Sequence, residues 1–317
     1  MGQTKRRLSE ILALLLVGAV GIMLGIVFQR NYGLGNTLRA AGLLTPFPTW
    51  TPIPPTPTPT PFGVPEEFQG KLLLFILAGQ SNMAGYSQLP ARQAINPRVF
   101  LFGNDYRWKL AAEPVDSALG QVDEVSEDGG AGFSPGLAFA NAVLVQEPDL
   151  AIGLIPCAAG NTTIVQWQRD LSDTTLYGSC LKRVGAASPL GNIEGMLFFQ
   201  GEADALDPEQ NPNRALSAFD YAAKFSTFVT DFRGDLSLPK LPIVFAQIGS
   251  HTAPKAFTNW QVIQEQQATV KLPCTTMITT QDLPLSDGVH FTTESYQIIG
   301  ERFAEAYLDL RSNQSCN

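Results

Sequence analysis

Ser81 stands in Gly79-Gln80-Ser81-Asn82-Met83-Ala84-Gly85, directly after the apolar run Lys71-Leu72-Leu73-Leu74-Phe75-Ile76-Leu77-Ala78. A serine hydroxyl is a good nucleophile only when a base takes its proton, and the usual base is a histidine oriented by a carboxylate. The chain supplies that pair near its C-terminal end, in Asp287-Gly288-Val289-His290. In a turn, side chains three residues apart can meet. Asp287 would then hold one imidazole nitrogen and leave the other for Ser81. Together the three residue types are the parts of an acyl-transfer triad. The second of the two histidines, His251, lies in Ser250-His251-Thr252 with no acidic residue close by, so His290 is preferred. A Gly-x-Ser stretch alone serves equally as a turn. Met83 also stands where a Gly-x-Ser-x-Gly elbow would have its last glycine, which argues against an ordinary α/β-hydrolase elbow.

The elements that must position these residues follow from periodicity. Apolar runs at 71–78, 98–102, 150–155, 194–199, 242–248 and 275–279 read as strands. Helical patterns occupy 135–147, 213–232, 257–270 and 292–310, the last with Thr292 as N-cap and Glu294 in its first turn. Strands alternating with helices predict an α/β fold, a parallel sheet covered on both faces. Sites in such sheets form beyond the carboxyl ends of the strands. Ser81, Gly160-Asn161, Gln200-Gly201-Glu202 and the Asp287/His290 pair each follow a predicted strand. The segments 103–134 and 161–192 are rich in Gly, Ser and Asp and read as long substrate-binding loops.

Each candidate also has a plainer reading. Gly160 could be a turn glycine, or a close backbone donor to an oxyanion. Gln200 could end a strand, or donate its amide to the same oxyanion. Glu202 with Asp204 could be a glycosidase pair; that leaves Ser81 and His290 unexplained, so bracing of the nucleophile loop is preferred. Trp108 and Trp167 could be core residues, or could stack on sugar faces.

Of the 317 residues, the first 65 do not read as globular. They hold five basic residues against Glu10, so the remainder carries 16 basic and 28 acidic residues. Such an acidic domain repels nucleic acid. Lys5-Arg6-Arg7 precedes an apolar stretch from Ile11 to Phe28, long enough to span a bilayer as a helix. Its length favours a retained signal anchor over a cleaved signal peptide, and its basic flank stays in the cytoplasm. Thr45 to Pro61 is a Thr/Pro-rich stretch that reads as an extended stalk, reaching roughly 50 Å at about 3.1 Å per residue. The expected organisation is a cytoplasmic stub and anchor at 1–30, a linker at 31–67 and a catalytic domain at 68–317 outside the cell. Four cysteines in an exported domain suggest two disulfides, and proximity favours Cys157–Cys180 and Cys274–Cys316 among three pairings. Their spacing does not suit a zinc site, and no metal is expected.

These residues resemble a family. Gly79 to Gly85, Trp108 with Ala112-Glu113-Pro114, Gly132 through Ala140, Gly160 with Ile164 and Trp167, Gln200-Gly201-Glu202-Ala203-Asp204 and Asp287-Gly288-Val289-His290-Phe291 run in the expected order. Together they resemble the sialate O-acetylesterase-like and acetylxylan-esterase branch (carbohydrate esterase family 6) of the SGNH hydrolases, over about residues 70–310. The resemblance implies a three-layer α/β/α, flavodoxin-like fold and removal of O-acetyl groups from carbohydrate without a cofactor. It makes Ser81 the nucleophile, His290 the base and Asp287 its orienter. The Ser81 N–H, the Gly160 N–H and the Gln200 side chain would form the oxyanion hole. Gln80, Asn82, Asn161, Trp108, Trp167 and Glu202 would bind substrate or support the site. The departures are Ala203, where a serine is common, and Phe199, where histidine is frequent. Two rival readings remain: a cell-surface carbohydrate-binding domain without turnover, and a lipase or thioesterase of the same fold. No obligate protein partner is implied.

Overall fold

Strand β1, Leu72–Gly79, is apolar at nearly every position because both of its faces are covered. Leu72, Leu74, Ile76 and Ala78 enter one core cluster, and Phe75 and Leu77 enter the other. This computed structural model describes residues 63–126, 128–212, 218–312 and 316. The expected anchor at 11–28 and the stalk at 45–61 lie outside the described residues. Among those described, no helix is long and apolar enough to cross a membrane.

The other strands are β2 (Val99–Phe102), β3 (Trp108–Leu110), β4 (Ile152–Pro156), β5 (Gly191–Phe199), β6 (Ile243–Ala246) and β7 (Thr275–Ile278). They form one sheet of seven strands in the order β3-β2-β4-β1-β5-β6-β7. All neighbours run parallel except the edge pair β2–β3. The fold class is therefore α/β as expected. The parallel strands β4-β1-β5-β6-β7 follow the flavodoxin-like order 2-1-3-4-5, and β2 with its antiparallel partner β3 is added outside β4.

Helices α1 (Ser81–Ala84), α2 (Pro135–Gln146), α3 (Leu176–Ala187), α4 (Tyr221–Asp235), α5 (Trp260–Thr269) and α6 (Thr293–Ser312) complete the chain. On one face, Phe139 and Val143 of α2 and Ile299, Phe303 and Tyr307 of α6 pack on Phe75 and Leu77. On the other, α3, α4 and α5 bury Tyr177, Val184, Phe225, Phe228 and Ile263 against Ile76 and Phe198. Thr292 accepts the Ser295 N–H at 3.2 Å at the start of α6.

Three expectations change. The segment 161–192 is not one long loop, because it contains α3, opened by the Thr175 side chain accepting from the Gly178 N–H. The helix expected at 213–232 runs as Tyr221–Asp235, after a short 3-10 turn at Ala218–Asp220. The folded body also starts before residue 68: Gly63 donates its N–H to Trp108 O at 2.9 Å, and Val64 is buried. Cys157 is bonded to Cys180 and Cys274 to Cys316, with Cα–Cα distances of 5.4 and 5.3 Å.

Candidate active site

The chain crosses the sheet between β4, β1 and β5, and the ends of these three strands build the floor of the site. Strand β1 ends at Gly79, whose φ is +133° and whose missing Cβ would lie 2.1 Å from Phe199 O. Only glycine lets the two strand ends approach so closely. Gln80 donates its N–H to Phe199 O at 2.8 Å, and the next residue, Ser81, opens α1. The Ser81 N–H belongs to a first helical turn, where backbone donors lack helical acceptors.

Asp287 and His290 come from the far edge of the sheet, beyond β7, in a tight turn. The Ser286 N–H donates to His290 O at 2.7 Å, and Leu285 bridges to Phe291. Asp287 Oδ1 accepts the N–H groups of Val289 and His290, both at 2.8 Å. Its Oδ2 lies 2.7 Å from His290 Nδ1, and His290 Nε2 lies 2.9 Å from Ser81 Oγ. Partial burial pushes the Asp287 pKa up, but the two backbone donors and His290 outweigh it and hold the carboxyl below its ordinary value. An ionised carboxylate only accepts. Nδ1 therefore carries the proton, and Nε2 faces the Ser81 hydroxyl as an acceptor.

The turn is locked against α1 by Asn82. Its Nδ2 donates to Val289 O at 3.1 Å and to Glu202 Oε1, and its Oδ1 accepts the Tyr296 hydroxyl at 2.7 Å. Each polar atom of Asn82 is spent on the frame, which makes it a support rather than a substrate contact. Glu202 is buried, and its Oε2 has no hydrogen-bond partner among the described residues. Burial pushes the Glu202 pKa up, partly offset by the Asn82 hydrogen bond.

The cleft above Ser81 and His290 encloses about 390 Å³. Gln80, Gly160, Asn161 and Glu202 line it, as do Ser81 and His290. Gln200 does not. Its side chain is fully buried, and Nε2 donates to Thr162 O at 2.8 Å and Asp204 Oδ2 at 2.6 Å. The amide expected to face an oxyanion instead ties the end of β5 to the chain after Gly160. Asp204 extends that brace by accepting the Ile164 N–H at 3.0 Å.

Neither expected tryptophan reaches the cleft. Trp167 is 0% exposed and packs edge-on against Phe198 and Phe228. Trp108 sits on β3 beside Phe102. Apolar cleft wall comes from Leu206, Phe257 and Val289. Two further cleft residues escaped the sequence reading. Tyr86 stacks on His290, with ring centroids 4.6 Å apart and planes 15° from parallel. Asp128 accepts the Tyr86 hydroxyl and, at 2.9 Å, the Gly160 N–H. Tyr86 directly follows the serine stretch, a position that could have drawn notice. Asp128 sits in a glycine-rich loop without periodicity. Among the described residues, no group of three or more His, Cys, Asp or Glu side chains is arranged to hold a metal ion.

A family model described as carbohydrate esterase, sialic acid-specific acetylesterase, matches residues 71–309. The chain belongs to this family. It is a carboxylic ester hydrolase of the carbohydrate esterase type. The esterase is 34% identical over 256 residues to a probable carbohydrate esterase of Arabidopsis thaliana, covering 74% of this chain and 90% of that one. An X-ray structure of an Arabidopsis thaliana protein aligns with a TM-score of 0.65 at 32% identity, over 76% of this chain and 99% of the other. A carbohydrate acetylesterase from Xanthomonas citri aligns with a TM-score of 0.57 at 20% identity, over 75% of this chain and 56% of that one. The structure of NanS also gives 0.57, at 18% identity, over 77% of this chain and 98% of the other. At such identities the last two carry the fold alone.

Proposed function

We propose that this esterase removes O-acetyl groups from carbohydrate through an acetyl-enzyme on Ser81. The observation that carries the reading is the unbroken hydrogen-bond chain from Asp287 through His290 to Ser81 Oγ. His290 Nε2 takes the Ser81 proton as Oγ bonds to the acetyl carbon. The carbonyl oxygen gains negative charge and is met by the N–H groups of Ser81 and Gly160. As the C–O bond to the sugar breaks, His290 returns the proton to the departing hydroxyl. Water, deprotonated in turn by His290, then releases acetate and restores Ser81. Asp287 stays ionised throughout and stabilises the imidazolium.

The domain works outside the cell, held by the apolar segment at 11–28 and spaced from the membrane by the Thr/Pro stalk. The basic flank Lys5-Arg6-Arg7 and the two disulfides support that placement. The test is acetate release from acetylated xylan and from a small activated acetyl ester by the full chain and by Ser81→Ala. Release that falls by several orders of magnitude in the variant is expected. Equal release by both proteins would sink the Ser81 mechanism. Binding of acetylated glycan with no release by either would favour a binding domain.

A further inference from the structure

The backbone donor that the Ser81 reading needs at Gly160 is already engaged. The Gly160 N–H donates to Asp128 Oδ2 at 2.9 Å. The other carboxyl oxygen, Oδ1, accepts the Tyr86 hydroxyl and the Gly130 N–H, the latter at 3.0 Å. A Cβ on residue 160 would stand 2.4 Å from Asp128 Oδ2 and 3.0 Å from the Tyr86 hydroxyl oxygen, so the missing side chain is what admits the carboxyl group. A carboxylate oxygen on an oxyanion donor resembles the oxygen that develops during acyl transfer in its charge and in taking the Gly160 N–H.

We propose that Asp128 is the internal occupant of the oxyanion position, and that its displacement sets how readily the site accepts an acyl group. This inference rests on the acyl-transfer reading of Ser81 and Gly160. An ester carbonyl must take the Gly160 N–H from Asp128 before Ser81 attacks. The local chain suits such an exchange. Asp128 is followed by Gly129 and Gly130, while the next residues are pinned, Gly132 donating to Gly85 O at 2.6 Å and Phe133 to Ser87 O at 2.9 Å. Only the Asp128 turn has to yield. The Tyr86 hydroxyl tethers the carboxyl group while the Tyr86 ring lies on His290, so the tether and the base share one side chain. Once displaced, the carboxylate stays beside the cleft. There it accepts hydroxyl donors and repels anions, and among the described cleft residues no lysine or arginine offsets it.

The test uses the full chain as wild type, Asp128→Asn, Asp128→Ala and Tyr86→Phe. The probe is phenylboronic acid, which adds to a nucleophilic serine as a tetrahedral anion. Its inhibition constant should fall about ten-fold in Asp128→Ala, roughly the worth of one hydrogen bond to a charged group, and less in Asp128→Asn. Tyr86→Phe should shift it in the same direction, because it frees the carboxyl group and keeps the ring. The KM for 4-nitrophenyl acetate should fall in the same order. An inhibition constant that is unchanged or higher in Asp128→Ala, with the protein folded, would overturn the proposal. So would loss of kcat with a lowered Tm in all three variants, which marks a structural role. Ser81→Ala separates the two readings. If the boronate needs Ser81 and ignores Asp128, only this inference fails. If Ser81→Ala hydrolyses the ester like wild type, the acyl-transfer reading fails with it.

Discussion

Asp287 is held in place with little burial. Its side chain is 55% exposed, against 17% for His290. What fixes it is three hydrogen bonds within its own turn, and these also hold its pKa below the ordinary carboxylate value. Asp287→Asn keeps the shape but removes the acceptor that selects the Nδ1–H tautomer. kcat should drop about 10³–10⁴-fold, with Tm nearly unchanged because the site is half exposed. Steady-state kinetics beside a thermal melt checks both halves. Glu113 is the opposite case. Burial pushes its pKa up to about 8, against smaller opposing effects from the Val115 N–H and Ser134. The unfolded chain ionises this group near its ordinary value of 4.5, while the folded protein keeps it neutral until about 8. The resulting stability is complete below the lower value and is lost as pH rises through the window between them, at about 1.4 kcal/mol per pH unit. Glu113→Gln should therefore flatten the decline of stability across that window. An unchanged slope in denaturant melts would show that Glu113 is ionised in the fold.

At the scale of elements, the strands at the centre of the sheet were the most legible. A strand buried on both faces is a continuous apolar run, and Leu72–Gly79 and Ile152–Pro156 both read that way. Strand β3 was missed because an antiparallel edge of three half-buried residues leaves no run to detect. Helix α3 was missed because Gly178 and Gly185 dilute its pattern, and its hydrophilic preface resembles a loop. The hydrogen-bonded arrangement of Ser81, His290 and Asp287 was legible because each of its parts is local: a serine just past a strand, and an Asp/His pair in one turn. Asp128 and Tyr86 were not, because a long loop's path across the cleft is set by tertiary contacts rather than by spacing. The same limit explains the tryptophans, since residue type alone cannot separate a stacking platform from core. Trp167→Ala should cost about 3–5 kcal/mol of stability. Phe257→Ala should instead raise KM for an acetylated glycan with a small change in Tm. A Trp167 variant that stays stable and loses only glycan affinity would contradict this assignment.

For the whole molecule, the two ends of the chain bear on where the chemistry happens. The N-terminal fifth holds an apolar segment with a basic flank, then a Thr/Pro-rich stretch, and the folded part carries two disulfides and an acidic balance. An anchored, outward-facing enzyme should sediment with membranes, and protease added to intact cells should remove its catalytic activity. Protection from that protease until the cells are lysed would place the domain inside. The acidic balance belongs to the same scale, because it disfavours polyanionic glycans and leaves neutral acetylated ones open.

The most direct test of the account is to look for its intermediate. The full chain would be mixed with an activated acetyl ester, quenched in acid within the first turnovers, digested and examined by mass spectrometry. The account predicts one acetyl group on the peptide that contains Ser81, absent in Ser81→Ala and strongly reduced in His290→Ala, which lacks the base for acylation. Acetate released in step with turnover, while Ser81 never carries an acetyl group or another residue carries it instead, would contradict it.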